Sequence, residues 1–186
     1  MIGIAALWMP ILISAVIVFI ASSIIHMAPL WHRREYPKVP NEDKVMDALR
    51  PFAIPPGDYM LPRANDMKDM KSTGFMEKIK RGPVIIMTVL PNGCPSMGKN
   101  LVQWFLYVVG VSMLTAYVTG HVFPPGTEYL TVFRFACTTA FIGYAVALWQ
   151  MSIWYKRSWS ITLKATLDGV IYGLLTGGAF GWLWPA

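Results

Sequence analysis

The chain has 186 residues, 55% of them hydrophobic against 14% charged, and a formal net charge of +6. That balance is too apolar for an ordinary soluble domain and selects the membrane class. Twenty of the twenty-six Lys, Arg, Asp and Glu residues fall between Arg33 and Lys99; they form neither a long basic cluster nor a basic helix, which excludes a nucleic-acid role.

The first apolar run predicts a membrane span from about Ala5 to His26. It has no Lys, Arg, Asp, Glu or His before His26, and its length matches the roughly 20 residues that a helix needs to cross about 30 Å of hydrocarbon. Pro10 near its start costs little, because the missing amide of a first-turn proline would be unpaired anyway. With no positive flank before its core, the run reads as a permanent anchor and not as a signal peptide.

A basic loop follows. Asn41 is placed to cap a short helix through Arg50, and Ser72 another through Lys80. Between them Pro51, Pro55, Pro56, Gly57 and Pro62 impose extended or turning backbone, so 52–62 is expected as an ordered strap. The β-branched run Val84 to Leu90 is too short to span and suits a strand or a segment on the membrane surface. Twelve basic and eight acidic residues are interleaved between Arg33 and Lys99, as in a solvated loop whose positive charges set topology, with anionic lipid as a further partner.

At its end, Gly93, Cys94, Pro95, Ser96, Met97, Gly98, Lys99 and Asn100 spell all but the last position of a phosphate-binding loop. Asn100 stands where a Ser or Thr should hold magnesium, and Pro95 removes one cradle amide, so nucleotide binding is set aside. Gly98 and Lys99 remain candidates for a phosphate or a lipid headgroup at a helix start.

Span two is expected over Leu101 to Gly120 and span three over Phe135 to Trp154. The turn from His121 to Tyr129, with Pro124, Pro125 and Gly126, makes them an antiparallel hairpin. A link with Lys156 and Arg157 leads to span four, from about Ile161 to Trp184. There Gly169, Gly173, Gly177 and Gly181 recur every fourth residue, and Ala165 extends the row. Small residues let helices approach closely in lipid, where little hydrophobic force acts between them. The row is expected to pack on span two, through Ser112, Ala116 and Gly120, or on span three, through Ala136, Ala140 and Ala147. Contact with another subunit is the alternative.

Lys164 and Asp168 share a face of span four. An acid inside an apolar span is expensive and by default a functional hypothesis; the competing reading is an internal pair near a helix start, with Lys164 reaching the surface. Thr115, Thr138, Thr139, Gln150 and Thr176 are the only deeper polar side chains noted, a thin path for transport. His26 and His32 fall at the inner edge and His121 at the outer, so the three cannot share one ion. Six residues apart, His26 and His32 do not lie on one helix face, and only Glu35 is a nearby acid. No metal, cofactor or catalytic set is assigned. Cys94 and Cys137 are expected as unpaired thiols.

Lys and Arg concentrate in the loop and the 156–157 link, which places both on the cytoplasmic side and both termini outside. Trp31, Trp104, Trp154, Tyr155 and Trp159 form the inner aromatic edge, and Trp8, Phe123, Tyr129, Trp182 and Trp184 the outer. The expected fold is an all-α integral membrane protein of four transmembrane helices with a partly ordered cytoplasmic loop between helices 1 and 2: span one in 1–30, loop in 31–100 and a three-helix region in 101–186. The expected function is a non-catalytic scaffold or accessory subunit of the inner membrane, working with a second copy or a membrane-protein partner. A small transporter or channel using Asp168 is the alternative, and a membrane enzyme comes third.

Overall fold

The apolar runs of the sequence form the long helices. In the computed structural model, which describes residues 1–27, 32–33, 35–94 and 96–186, a 3-10 turn at Ile4–Leu7 leads into α1, Trp8–Met27. Helix α5 runs over Met97–Val122. Helix α6, Tyr129–Ala145, continues through a 3-10 turn at Val146–Leu148 into the short α7, Trp149–Ile153. Helix α8 covers Trp159–Trp182. Three segments, Ile4–Met27, Met97–Val122 and Tyr129–Ile153, are long and apolar enough to cross a membrane. Trp31, Arg34 and Pro95, to which the sequence gives roles, lie outside the described residues.

The chain divides into two units, Met1–Tyr36 with Ser96–Ala186, and Pro37–Pro95. In the first unit the two small-residue rows serve two different contacts. The α5 row receives the N-terminal segment: Ser14 Oγ donates to Ser112 Oγ at 3.0 Å, and Ile2 N donates to Gly120 O at 2.7 Å. A Cβ on Gly120 would sit 2.6 Å from the Ile2 carbonyl oxygen, so only glycine admits the contact. The α8 row receives α6. A Cβ on Gly169 would meet the Ala145 Cβ at 2.6 Å, one on Gly177 the Cys137 Cβ and Phe133 O at 2.8 Å, and one on Gly181 the Tyr129 ring at 2.8 Å. Span three, not span two, is therefore the glycine row's neighbour. The C-terminus closes on the α5–α6 turn, where Gly126 N donates to Pro185 O at 2.9 Å and Trp184 Nε1 to Pro124 O at 3.0 Å.

Helices α1 and α8 expose apolar side chains and bury some polar ones, whereas α6 exposes Thr131, Arg134 and Thr138 and buries Val132, Ala136 and Ala140. On α1 the buried positions include Ser14 and Ser22, while Leu12, Val16, Ile20 and Ile24 are exposed. On α8, Leu163, Leu167, Val170, Ile171 and Leu174 face outward, and Thr162, Asp168 and Thr176 face inward.

The second unit is more ordered than a loop with short helices. Helix α2, Glu42–Leu49, begins after Asn41, which sits in the left-handed region at φ 54° and makes no side-chain cap, contrary to the expected capping bond. Helix α3 covers Met67–Met70. Helix α4, Thr73–Arg81, starts as expected, with Ser72 Oγ accepting the Phe75 amide at 3.2 Å. The proline-rich strap contains a strand, β1, Gly57–Leu61, antiparallel to β2, Ile85–Val89, in the register Gly57↔Val89 to Leu61↔Ile85. Thr88 Oγ1 donates to Asp58 Oδ1 across it at 2.6 Å. The chain is thus mostly helical but not all-α.

Candidate metal centre

Helix α1 ends at Met27, and the chain returns His32 against the helix it has just left. The rings of His26 and His32 stack with centroids 4.5 Å apart and 10° between planes. Their spacing of six forbids a shared face only while the helix continues. The third participant is Asp168, from the third turn of α8, which is 4% exposed. Its Oδ2 lies 3.1 Å from His32 Nε2. One ligand-capable atom from each of His26, His32 and Asp168 lies within 4.8 Å of the others.

Each imidazole is oriented through its other nitrogen. His26 Nδ1 is 2.9 Å from the Ser22 carbonyl oxygen, one turn back on α1. His32 Nδ1 is 2.6 Å from Glu35 Oε1. A proton on Nδ1 facing an oxygen leaves Nε2 as the lone-pair atom, the arrangement by which outer partners fix the tautomer and aim of metal-binding histidines. Bonds of about 2.0–2.1 Å in a tetrahedral site place ligand atoms about 3.4 Å apart. The His32–Asp168 separation is already near that value, and because the two rings stack at 10°, one of them must turn out of the stack for both Nε2 lone pairs to meet one ion. Two histidines and one carboxylate leave coordination positions open and suit Zn²⁺, Fe²⁺ or Co²⁺.

Beside these groups lies a cavity of about 550 Å³, with His26 and Asp168 at its edge and Trp104, Tyr107, Tyr144 and Tyr172 among its walls. Trp104 is held by α1, its Nε1 donating to Ser22 Oγ at 2.8 Å. Tyr107 donates to Gly143 O at 2.8 Å. The deeper hydroxyls lead nowhere, since Thr115 and Thr176 donate back to Val111 O and Tyr172 O at 2.9 and 2.8 Å.

Of the other predicted positions, half-buried Lys164 is one turn before Asp168 on α8. His121 is exposed, with Nδ1 2.7 Å from Tyr117 O. Ser96 Oγ and O accept the amides of Lys99 and Asn100 at 3.4 and 3.3 Å, so Ser96 caps α5 within the phosphate-loop-like stretch. A Cβ added to Gly98 would have nothing within 4 Å, and the thiols of Cys94 and Cys137 are free. Sequence reasoning missed the joining of His26, His32 and Asp168. Its one signal was that the proposed topology already set all three at one edge, where a buried acid requires a partner. Compared with protein families, with curated proteins and with solved structures, the chain matches none.

Proposed function

We propose that this chain is a four-span membrane metalloprotein that holds one divalent transition-metal ion with His26, His32 and Asp168. The observation that carries the reading is that both histidines have Nδ1 facing an oxygen while a buried carboxylate from a distant helix lies 3.1 Å from His32 Nε2 and within 4.8 Å of a His26 ring nitrogen. Exposed His121 makes the same Nδ1-to-carbonyl contact as His26, so what distinguishes the pair is the buried carboxylate beside it, which a cation stabilises. Helix α8 serves as the fourth span: its outward face is Leu, Val and Ile, and inward polar groups lower its mean hydropathy without meeting lipid. The positive-inside rule then puts the centre on the cytoplasmic side of an inner membrane and both termini outside.

The test uses the full chain in phosphatidylcholine nanodiscs, stripped with a chelator and titrated with Zn²⁺ or Co²⁺. One ion per chain is expected, with His26→Ala and Asp168→Ala weakening binding by at least about a hundredfold and His121→Ala leaving it unchanged. Equal binding by wild type and the His26 and Asp168 variants would sink the assignment.

A second reading rests on the line Glu35, His32, Asp168, which suits proton coupling in a small transporter. Proton flux that survives chelation and is lost in Asp168→Asn would favour it. The scaffold reading has less support, because the glycine face that suggested a second subunit is filled by α6 of the same chain.

A further inference from the structure

Building on the metal reading, we propose that the cavity beside the centre binds a single-chain amphiphile with an anionic oxygen head. The head completes the ion's coordination and the chain lies along the aromatic wall.

The cavity volume of about 550 Å³ falls within the roughly 300–1,000 Å³ of small-molecule sites. It runs beside α5 from Asn100 to Tyr107 and beside α8 from Ala165 to Tyr172, each about 10 Å of helix rise. Its polar lining is His26, Asn100, Gln103 and Asp168, and the rest is mainly aromatic, with Leu148 and Ala165 adding aliphatic surface. A free inorganic anion would gain nothing from those walls, whereas a hydrocarbon chain would.

The Tyr172 hydroxyl supplies an independent sign of a ligand. The residue lines this cavity and is 3% exposed, and its hydroxyl, like that of Tyr144, is buried with no hydrogen-bond partner among the described residues. Buried hydroxyls are ordinarily paired, and an acceptor oxygen bound in the cavity would pair this one once the Tyr172 ring turns toward it. Charge selects the head. Asp168 and Glu35 alone repel an anion, but a divalent ion at the centre offsets their two charges and offers an open position to an anionic oxygen. Anion binding therefore depends on the metal.

The experiment follows the visible spectrum of Co²⁺ bound to the full chain in phosphatidylcholine nanodiscs. Dodecanoate or dodecyl phosphate is expected to change the Co²⁺ band saturably, and the one acting at lower concentration identifies the head as carboxylate or phosphate. Dodecanol, which has the chain without the charge, and acetate, which has the charge without the chain, should leave the band unchanged at the same concentrations. Tyr172→Phe should raise the half-saturating concentration roughly tenfold with Co²⁺ affinity unaltered. Ala165→Phe, which fills the cavity, should abolish the response with Co²⁺ still bound. Bound Co²⁺ that ignores both anionic amphiphiles, or responds equally to acetate, overturns the cavity assignment while the metal reading stands. So does a Tyr172→Phe variant that titrates like wild type. Failure to bind Co²⁺ removes both.

Discussion

The residue that organises the site is Asp168. Burying a carboxylate among apolar helices is costly unless opposite charge or hydrogen bonds compensate, and His32 is 3.1 Å from it. Glu35 meets the centre at His32, 2.6 Å from Nδ1, so it is a positioning residue. Glu35→Gln keeps an acceptor but removes the charge that strengthens the imidazole as a ligand. Metal affinity is expected to fall by about 10–100-fold, with one ion per chain retained. The readout is competition for Zn²⁺ against a chelator of known affinity, and an unchanged affinity would remove Glu35 from the site. The histidines, Glu35 and Asp168 were each legible in the sequence as noteworthy residues. Their association was not, because spacing rules compare positions on one helix and the chain leaves α1 between His26 and His32.

Among the elements, the α6–α8 contact is the tightest. The glycine row was legible as a close-packing face, since a period of four places its members along one stripe. Which helix fills that stripe depends on how the hairpin folds back, and local sequence carries no sign of it. Gly177→Leu must displace Cys137 and Phe133, both of which would lie 2.8 Å from a Cβ. We expect a loss of about 1–3 kcal/mol or more in denaturant unfolding within mixed micelles, as for other overpacked interiors. Gly178→Ala is the control: nothing lies within 4 Å of its Cβ position, so stability should hold or rise slightly on helix propensity. Equal losses from both would show that the glycine stripe does not pack as described.

The arrangement of the whole molecule bears on topology. The C-terminus lies against the α5–α6 turn through Gly126 N to Pro185 O and Trp184 Nε1 to Pro124 O, so α8 runs back alongside α6 for its length. If α8 is a span, Ala186→Cys and Thr127→Cys, each made with Cys94 and Cys137 replaced by serine, should react with an impermeant maleimide on one side of sealed vesicles. Native Cys94, with Cys137→Ser as the only change, should react from the other side. Ala186→Cys labelling from the same side as Cys94 would refute the fourth span.

Hydropathy, proline and glycine placement and the charge segregation determined by themselves the long helices, the turns, the Ser72 cap and the short apolar strand, because each follows from forces acting within one or two turns of chain. Tertiary structure alone decided three things: the pairing of 57–61 with 85–89, the choice of α6 to cover the glycine row, and the meeting of His26 and His32 with Asp168. Each joins segments separated in sequence, and its free energy comes from surfaces and charges that exist only once the backbone has folded back on itself.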